Sequence, residues 1–270
     1  WLKVGMISFE ELDTQTNDLD EETQKVMEEY ITVAIFGVDN RSNGNYDSGN
    51  SDSIMIANID NNTGEIKIVS VYRDTCMDVD GDDTLRKCNY AYNHGGAEEA
   101  VNMLNRNLDL DIDGYVAVDF YALVGAIDAL GGVEIELTSQ EARIMNQSYI
   151  DLTADIVGKK SSHVTAGVHN LDGVQAVSYC RVRYTAGGDF ERAQRQREVL
   201  SKMAEKLKTA SVSQLLDLID EVFPSISTSF NLADILEMAP QLQNSQLVDI
   251  QGYPFDKYTG TYGSMGSLVI

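Results

Sequence analysis

The sequence predicts an α/β fold in which helices are layered on a sheet. Three observations predict it. The run ITVAIFGVD (31–39) is nearly all apolar and β-branched and closes on Gly37 and Asp39, the pattern of a buried central strand that delivers polar side chains at its tip. SIMIANID and EIKIVSVY flank the turn NNTG and read as a β-hairpin. From residue 96 onward, helical and strand periodicities alternate. At 270 residues, 43% hydrophobic and 23% charged, the chain has the make-up of one large globular domain.

Taken in order, SFEELDTQTNDLDEETQKVMEEY (8–30) is acidic with sparse apolar positions, so residues 1–30 are expected as an exposed helical arm and 31–270 as a single domain. GAEEAVNMLNRNL (96–108) places Ala97, Val101, Leu104 and Leu108 at three- and four-residue spacing, an amphipathic helix. GYVAVDF follows as a strand, YALVGAIDAL as an apolar helix closed by Gly131 and Gly132, and VEIEL as a strand. After a polar stretch near 138–170, LDGVQAVSYCRVR reads as a helix leading into a short strand. A Gly187-Gly188 hinge then opens the helix DFERAQRQREVLSKMAEKLKT. The tail supplies the helical stretches VSQLLDLIDEVF and LADILEMAPQL, a strand QLVDIQGY, and an end, TGTYGSMGSLVI, that is either mobile or a late strand.

Acidic residues outnumber basic ones 43 to 20, a formal charge of -23. That field repels a nucleic-acid backbone and disfavours adhesion to anionic membranes, so an anionic substrate must be captured locally by clustered guanidinium groups or a metal. No apolar run is long enough to span a bilayer. Cys76 and Cys88 bracket a short polar loop whose spacing admits either a disulfide or two independent thiols, and Cys180 reads as a small core residue. His94, His163 and His169 lack any metal-ligand spacing.

Three stretches carry chemistry. In GVDNRSNGNYDSGNSDSIM one strand ends at Asp39 and the next begins near Asp52, so two carboxylates can face one loop mouth. They suit magnesium, which keeps much of its water, or they cap turns. In SVYRDT, Arg73 leaves an apolar strand beside Asp74, aimed at a cleft or merely paired with its neighbour. In YCRVRYTAGGDFERAQRQREV (179–199), five of ten arginines gather. Arg181 and Arg183, two apart in the expected strand, share a face, while Asp189, Arg192 and Gln196 come from the start of the next helix. Guanidinium forks facing a helix N-terminus suit a phosphate or diphosphate. Arg195 and Arg197 read as surface pairs with Glu191 and Glu198.

Together the pieces GVDNR, SDSIMIANID, IVSVYRDT, NYAYNHGG, DGYVAVDFYALVGAIDALGGVEIEL, LDGVQAVSYCRVR and DFERAQRQREVL resemble the LytR-CpsA-Psr family of cell-wall glycopolymer transferases. They span about 32–208 in the family's order; residues 209–270 resemble it weakly and the acidic arm does not. The resemblance implies a three-layer α/β/α sandwich around a central mixed sheet. It also implies an N-terminal anchor, expected upstream of Trp1, that holds the domain outside the cytoplasmic membrane of a Gram-positive-type bacterium. It implies magnesium-dependent transfer of a glycopolymer phosphate from a polyprenyl-diphosphate lipid to peptidoglycan, and the charge balance separately argues against a nucleic-acid partner. Asp39 and Asp52 would hold Mg2+. Arg73, Arg181, Arg183 and Arg192 would grip the diphosphate, Gln196 would assist, and Asp189 would orient an arginine or accept a proton. Val118, Phe120, Leu123, Val124 and Ile127 would line a lipid tunnel, although core packing explains the same residues.

Two positions depart from the family pattern. Asn50 stands where arginine is usual, so either Arg41 substitutes or activity is reduced or altered; Tyr72 stands where proline is usual before the Arg-Asp pair. Asn50 keeps two rival readings open, a polyprenyl-diphosphate phosphatase and a non-catalytic lipid-binding or regulatory wall protein.

Overall fold

A computed structural model describes residues 12–41, 43–183, 185, 187–231, 233–234, 238 and 244–269. Its elements run, in chain order, α1 (Glu21–Met27), β1 (Tyr30–Val38), β2 (Ser51–Asp60), β3 (Glu65–Val71), β4 (Cys76–Asp78), β5 (Leu85–Lys87), α2 (Tyr90–Leu108), β6 (Gly114–Val118), α3 (Phe120–Ala129) and β7 (Val133–Leu137). They continue with α4 (Ser139–Ile144), α5 (Ile150–Val157), β8 (Gly167–Leu171), α6 (Gly173–Cys180), α7 (Gly188–Thr209), α8 (Val212–Val222), β9 (Ser227–Thr228), β10 (Gln246–Tyr253), β11 (Thr259–Thr261) and β12 (Ser267–Val269). The described residues divide into two compact units, a sheet unit (those up to Asn40, Asn45–Ala117 and those from Ser227 on) and a helical unit (Arg41–Gly44 and Val118–Ile226).

The sheet unit is organised by a six-stranded sheet of order β10-β3-β2-β1-β6-β9. As its sequence predicts, β1 is internal, with Val33, Ala34, Phe36 and Val38 buried. The β2–β3 hairpin closes where the Asp60 carboxylate accepts from the backbone N–H groups of Asn62 (2.7 Å) and Thr63 (2.9 Å), an Asx turn completed by Gly64 at φ +72°. Because β10 pairs parallel to β3 while the hairpin is antiparallel, the sheet is mixed. The apolar stripe of α2 (Ala97, Ala100, Val101, Leu104) packs on Ala34, Phe36, Ile54 and Ile56, and Phe36 meets the Tyr92 ring at 5.4 Å. That helix starts at Tyr90, earlier than periodicity indicates, because Gly95 and Gly96 interrupt it with a kink.

Among its described residues the acidic arm is helical over Glu21–Met27 only, with Asp20 as the N-cap. Residues 12–20 are not helical and are tied to α2: the Gln15 N–H donates to Asn102 Oδ1 (2.7 Å) and Asn17 Nδ2 to the Arg106 carbonyl (2.9 Å). At the other end, β11 and β12 form an antiparallel pair, so the late-strand reading of the tail is the one realised.

In the helical unit, Asp119 caps α3 by accepting from the Ala122 N–H (2.8 Å), and Val124 and Ile127 enter a core with Val133, Ile135, Leu137 and Val177. The polar stretch 138–170, unassigned from sequence, contains α4 with a Thr138/Glu141 capping box, a π-helical turn at Met145–Tyr149, α5 and β8. One expectation is corrected. CRVR is not a strand: α6 continues to Cys180, and Arg181 is its C-cap at φ -93°, ψ -9°. Turn bonds from the Arg181 N–H to the Ser178 carbonyl and from Val182 N–H to Tyr179 O, both 3.2 Å, wind the chain where alternation suggested extension. Much of LADILEMAPQL lies outside the described residues.

Candidate functional site

In the sheet unit, the site residues are aimed by a β-bulge. Gly37 pairs with Ser53 but Val38 pairs with Ser51, so Asp52 is the extra residue on β2. Such a bulge bends the strand and re-aims the carboxylate. Gly37 permits the close approach, since a Cβ there would sit 2.9 Å from Ser53 Cβ. The Asp39 N–H donates to the Asn50 carbonyl (3.0 Å), closing the intervening loop and leaving the Asp39 side chain exposed. Both carboxylates thus stand at the same end of the β1–β2 ladder.

Arg73 lies just beyond β3, half-buried, and its Nη1 donates to Asp52 Oδ1. Its backbone is fixed on both sides: the Tyr72 N–H donates to the Tyr253 carbonyl (3.0 Å), the Cys88 thiol to Tyr72 O (3.2 Å), and the Asn89 N–H to Arg73 O (3.2 Å). Asp74, which could have neutralised Arg73 outright, stands 3.7 Å from its Nε and closer, 3.0 Å, to Lys87 Nζ. Lys87 was not singled out in the sequence, since its β4–β5 hairpin is too short to give a periodic signal.

Among the described residues no group of three or more His, Cys, Asp or Glu could hold a metal. Two hard carboxylates, one already sharing an oxygen with a guanidinium, fit magnesium, which fills its remaining positions with water and substrate oxygens. They do not fit a closed structural metal site.

In the helical unit, Arg181 rests on aromatic rings. Its guanidinium lies 4.6 Å from the Phe120 centroid and 5.6 Å from that of Tyr149, and Nη1 donates to Thr153 Oγ1 at 2.9 Å. The cation is therefore held over two rings with part of its donor edge committed. Arg183 is exposed, its Nε 3.7 Å from Asp189 Oδ1, while buried Arg192 places Nη2 3.1 Å from the same oxygen. Asp189 sits between two arginines, as a strut does. Gln196, one turn beyond Arg192 on α7, is half-buried.

Arg195 departs from the surface role expected of it. It is buried, and donates to Glu141 Oε1 (2.8 Å), the Val182 carbonyl (3.0 Å), Thr185 Oγ1 (3.1 Å) and Glu191 Oε2 (3.0 Å). It ties Val182 and Thr185 to Glu141 near the start of α4 and to α7. A cleft of about 340 Å3 opens here, but Glu141, Glu191 and Glu198 line it and its sign is wrong for a phosphate.

Of the five residues expected to meet lipid, Val118, Phe120 and Leu123 are half-buried, whereas Val124 (1% exposed) and Ile127 (0%) are core. The packing is close: a Cβ on Gly173 would lie 2.3 Å from the Val124 carbonyl. Arg41 is exposed, its carbonyl accepting from the Tyr121 hydroxyl at 3.3 Å. All three cysteines are free. Cys76 is directly opposite Lys87, so the next residue, Cys88, points to the other face of the β4–β5 ribbon.

The sheet unit thus carries a bulge-borne carboxylate and an arginine at one strand end, and the helical unit carries Arg181, Arg183 and Arg192 around the junction of α6 and α7. Residues 5–265 match the model of the LytR_cpsA_psr family, and the chain belongs to that family. A curated relative, the polyisoprenyl-teichoic acid--peptidoglycan teichoic acid transferase TagU of Enterococcus faecalis, is 30% identical over 213 residues; the match covers 78% of this chain and 65% of the relative, so the chain spans just under two thirds of that protein. Among solved structures, protein gbs0355 of Streptococcus agalactiae superposes with a TM-score of 0.75 at 24% identity, covering 94% of this chain and 86% of that one. TagT bound to LIIa-WTA gives 0.70 at 22%, covering 96% and 89%. These likenesses show the α/β fold with its mixed central sheet.

Proposed function

We propose that this chain is an extracytoplasmic phosphotransferase that moves a glycopolymer from a polyprenyl-diphosphate lipid onto peptidoglycan. A sugar hydroxyl of the acceptor attacks the glycopolymer-side phosphorus. The bond from that phosphorus to the bridging oxygen breaks, polyprenyl phosphate leaves, and the hydroxyl proton passes to a base or to water. The observation that carries the reading is family membership across nearly the whole chain, with a relative named for this transfer.

Phosphoryl transfer asks a protein for positioning and charge stabilisation rather than a covalent nucleophile. Arg181, Arg183 and Arg192 hold diphosphate oxygens, with Gln196 assisting and Asp189 setting the two arginines it touches. Arg73, tethered to Asp52, holds spreading charge. Asp39 and Asp52 would hold magnesium, which when bound supplies further charge neutralisation. Phe120, Leu123 and Val118 are the half-buried apolar residues available to a polyprenyl chain. The membrane anchor is part of the same proposal; among the described residues no helix is long and apolar enough to cross a membrane.

A second reading, with water in place of the sugar as acceptor, gains from Asn50, whose neutral, exposed side chain stands at the mouth of the 39–52 loop. One incubation separates the readings. With a polyprenyl-diphosphate glycan and a peptidoglycan fragment, mass spectrometry should find a phosphodiester-linked conjugate. Free glycan phosphate without conjugate would establish the phosphatase, and donor bound but unturned would establish a binding protein.

A further inference from the structure

Arg73 is framed by a segment whose surface is unusual for this chain. The Tyr72 N–H, just before Arg73, is bonded to the Tyr253 carbonyl at 3.0 Å, and the Asp74 carbonyl, just after it, accepts from the Val269 N–H at 2.9 Å. Thr75 forms a bridge to the same Val269, which pairs across β11–β12 with Thr259. The stretch PFDKYTGTY (254–262) is therefore tied to the immediate neighbours of Arg73 just before its start, at Tyr253, and, through Val269, at Thr259. Lys257 reinforces these ties, its ammonium 4.9 Å from the centroid of the Tyr72 ring.

Among the described residues four aromatic side chains are exposed, and three of them, Phe255 (59%), Tyr258 (63%) and Tyr262 (39%), fall within eight residues here. Rings left in water near Arg73 are not core that failed to bury, because strand pairing holds the backbone on either side of Phe255 and Tyr258, at Tyr253 in β10 and Thr259 in β11. Two are anchored by neighbours: Phe255 packs edge-on against Tyr253 at 5.6 Å, and the Tyr262 ring lies across Gly260, where a Cβ would come within 2.8 Å of it. Between the rings stand Asp256, Lys257, Thr259 and Thr261, all exposed.

We propose that residues 254–262 form a carbohydrate platform that binds the sugar rings of the acceptor glycan beside Arg73; the inference rests on the transfer reading above. One face of a pyranose ring presents only C–H groups and stacks on an aromatic ring, while its rim hydroxyls take hydrogen bonds from side chains such as those interleaved here. A bilayer is the poorer occupant, since seating these rings in hydrocarbon would bury Asp256 and Lys257 between them. The donor is the less suitable glycan: its diphosphate is already held by guanidinium groups, whereas the uncharged sugar rings of the acceptor offer those groups no charge to grip.

The test uses the full chain without lipid. Chitotetraose, a neutral β-1,4-linked N-acetylglucosamine tetramer, should bind in a calorimetric titration, and the double variant Phe255→Ala/Tyr258→Ala should bind it about tenfold more weakly or worse. Thermal midpoints should agree, as both rings are exposed. Unchanged affinity in the variant, no saccharide binding by the parent chain, or ring-dependent sedimentation with phosphatidylcholine vesicles instead would each overturn the platform. Saccharide binding needs no donor, so failure of donor turnover with saccharide binding intact would count against the transfer reading alone.

Discussion

Arg73 donates through Nη1 to the carboxylate of Asp52, joining the first residue pair beyond β3 to the bulged residue of β2. The contact fixes both groups in place, and under the proposed transfer reading it would spare the reaction reorganisation cost. Asp52→Asn keeps the shape but weakens this tether and the carboxylate offered to a cation. Transfer should fall by about a hundredfold, with little change in unfolding midpoint because the pair is partly solvated. Steady-state assays over a magnesium titration check it: the variant should need more metal for half-maximal rate.

Arg181 and Arg183, alike in the sequence, should behave differently. Arg181 is stacked on Phe120 and Tyr149 and bonded to Thr153, so Arg181→Ala should lower both donor binding and stability, the latter by about 1–2 kcal/mol. Arg183 is exposed, its Nε 3.7 Å from Asp189 Oδ1, so Arg183→Ala should leave the denaturation midpoint in place while donor affinity drops. Arg181→Lys should rescue charge but not the stacked fork.

Buried Arg195 and Glu141 predict an acid-sensitive element. Burial would raise the Glu141 pKa, but the Arg195 hydrogen bond and those from Thr138 outweigh it and hold the carboxyl below the usual carboxylate value. A folded-state pKa that is depressed contributes stability above the unfolded value, and that contribution is lost as pH falls through the folded one. Melting curves from pH 6 down to about pH 3 should therefore decline more steeply for the parent chain than for Glu141→Gln. Arg195→Ala, which strands a buried carboxylate, should cost about 3–5 kcal/mol at neutral pH.

How far the sequence could be read depended on what each stretch offered. The β1 run, the Asp60-to-Gly64 turn and the α2 stripe were legible because period and turn chemistry agree there. Cys180-Arg181-Val182-Arg183 was misleading: apolar and charged residues alternate, which mimics a strand, yet the same four residues suit the end of a helix whose buried members, Cys180 and Val182, face the core. Residues 138–170 gave no signal because a π turn breaks the helical period between α4 and α5. The Thr138-to-Glu141 capping box was the cue that could have revealed α4, and with it the partner that draws Arg195 inside. The bulge at Asp52 is a matter of register, which one strand's sequence does not carry.

The cysteines should be inert in the folded chain. Burial pushes the thiols of Cys88 and Cys180 up to about 12 and raises that of half-buried Cys76 as well, so little thiolate exists at neutral pH. Iodoacetamide should leave Cys88 and Cys180 unmodified until denaturant is added and then label all three sites by mass spectrometry. Dithiothreitol should not shift the melting temperature, and a mass loss of two hydrogens spanning Cys76 and Cys88 would contradict the free thiols.

Lipid contact can be separated from core packing at adjacent positions of α3. Val124 faces the core of the helical unit beside Ile127 and Val177, so Val124→Asp buries an unpaired charge and should prevent folding. Leu123 is half-buried, and Leu123→Asp can turn its carboxylate toward water with a stability cost of about 1–2 kcal/mol. If Leu123 meets the polyprenyl chain, the folded Leu123→Asp protein should lose retention of a polyprenyl phosphate by at least about tenfold while still binding chitotetraose. Retention equal to that of the parent chain would assign Leu123 to packing alone and remove α3 from the lipid path.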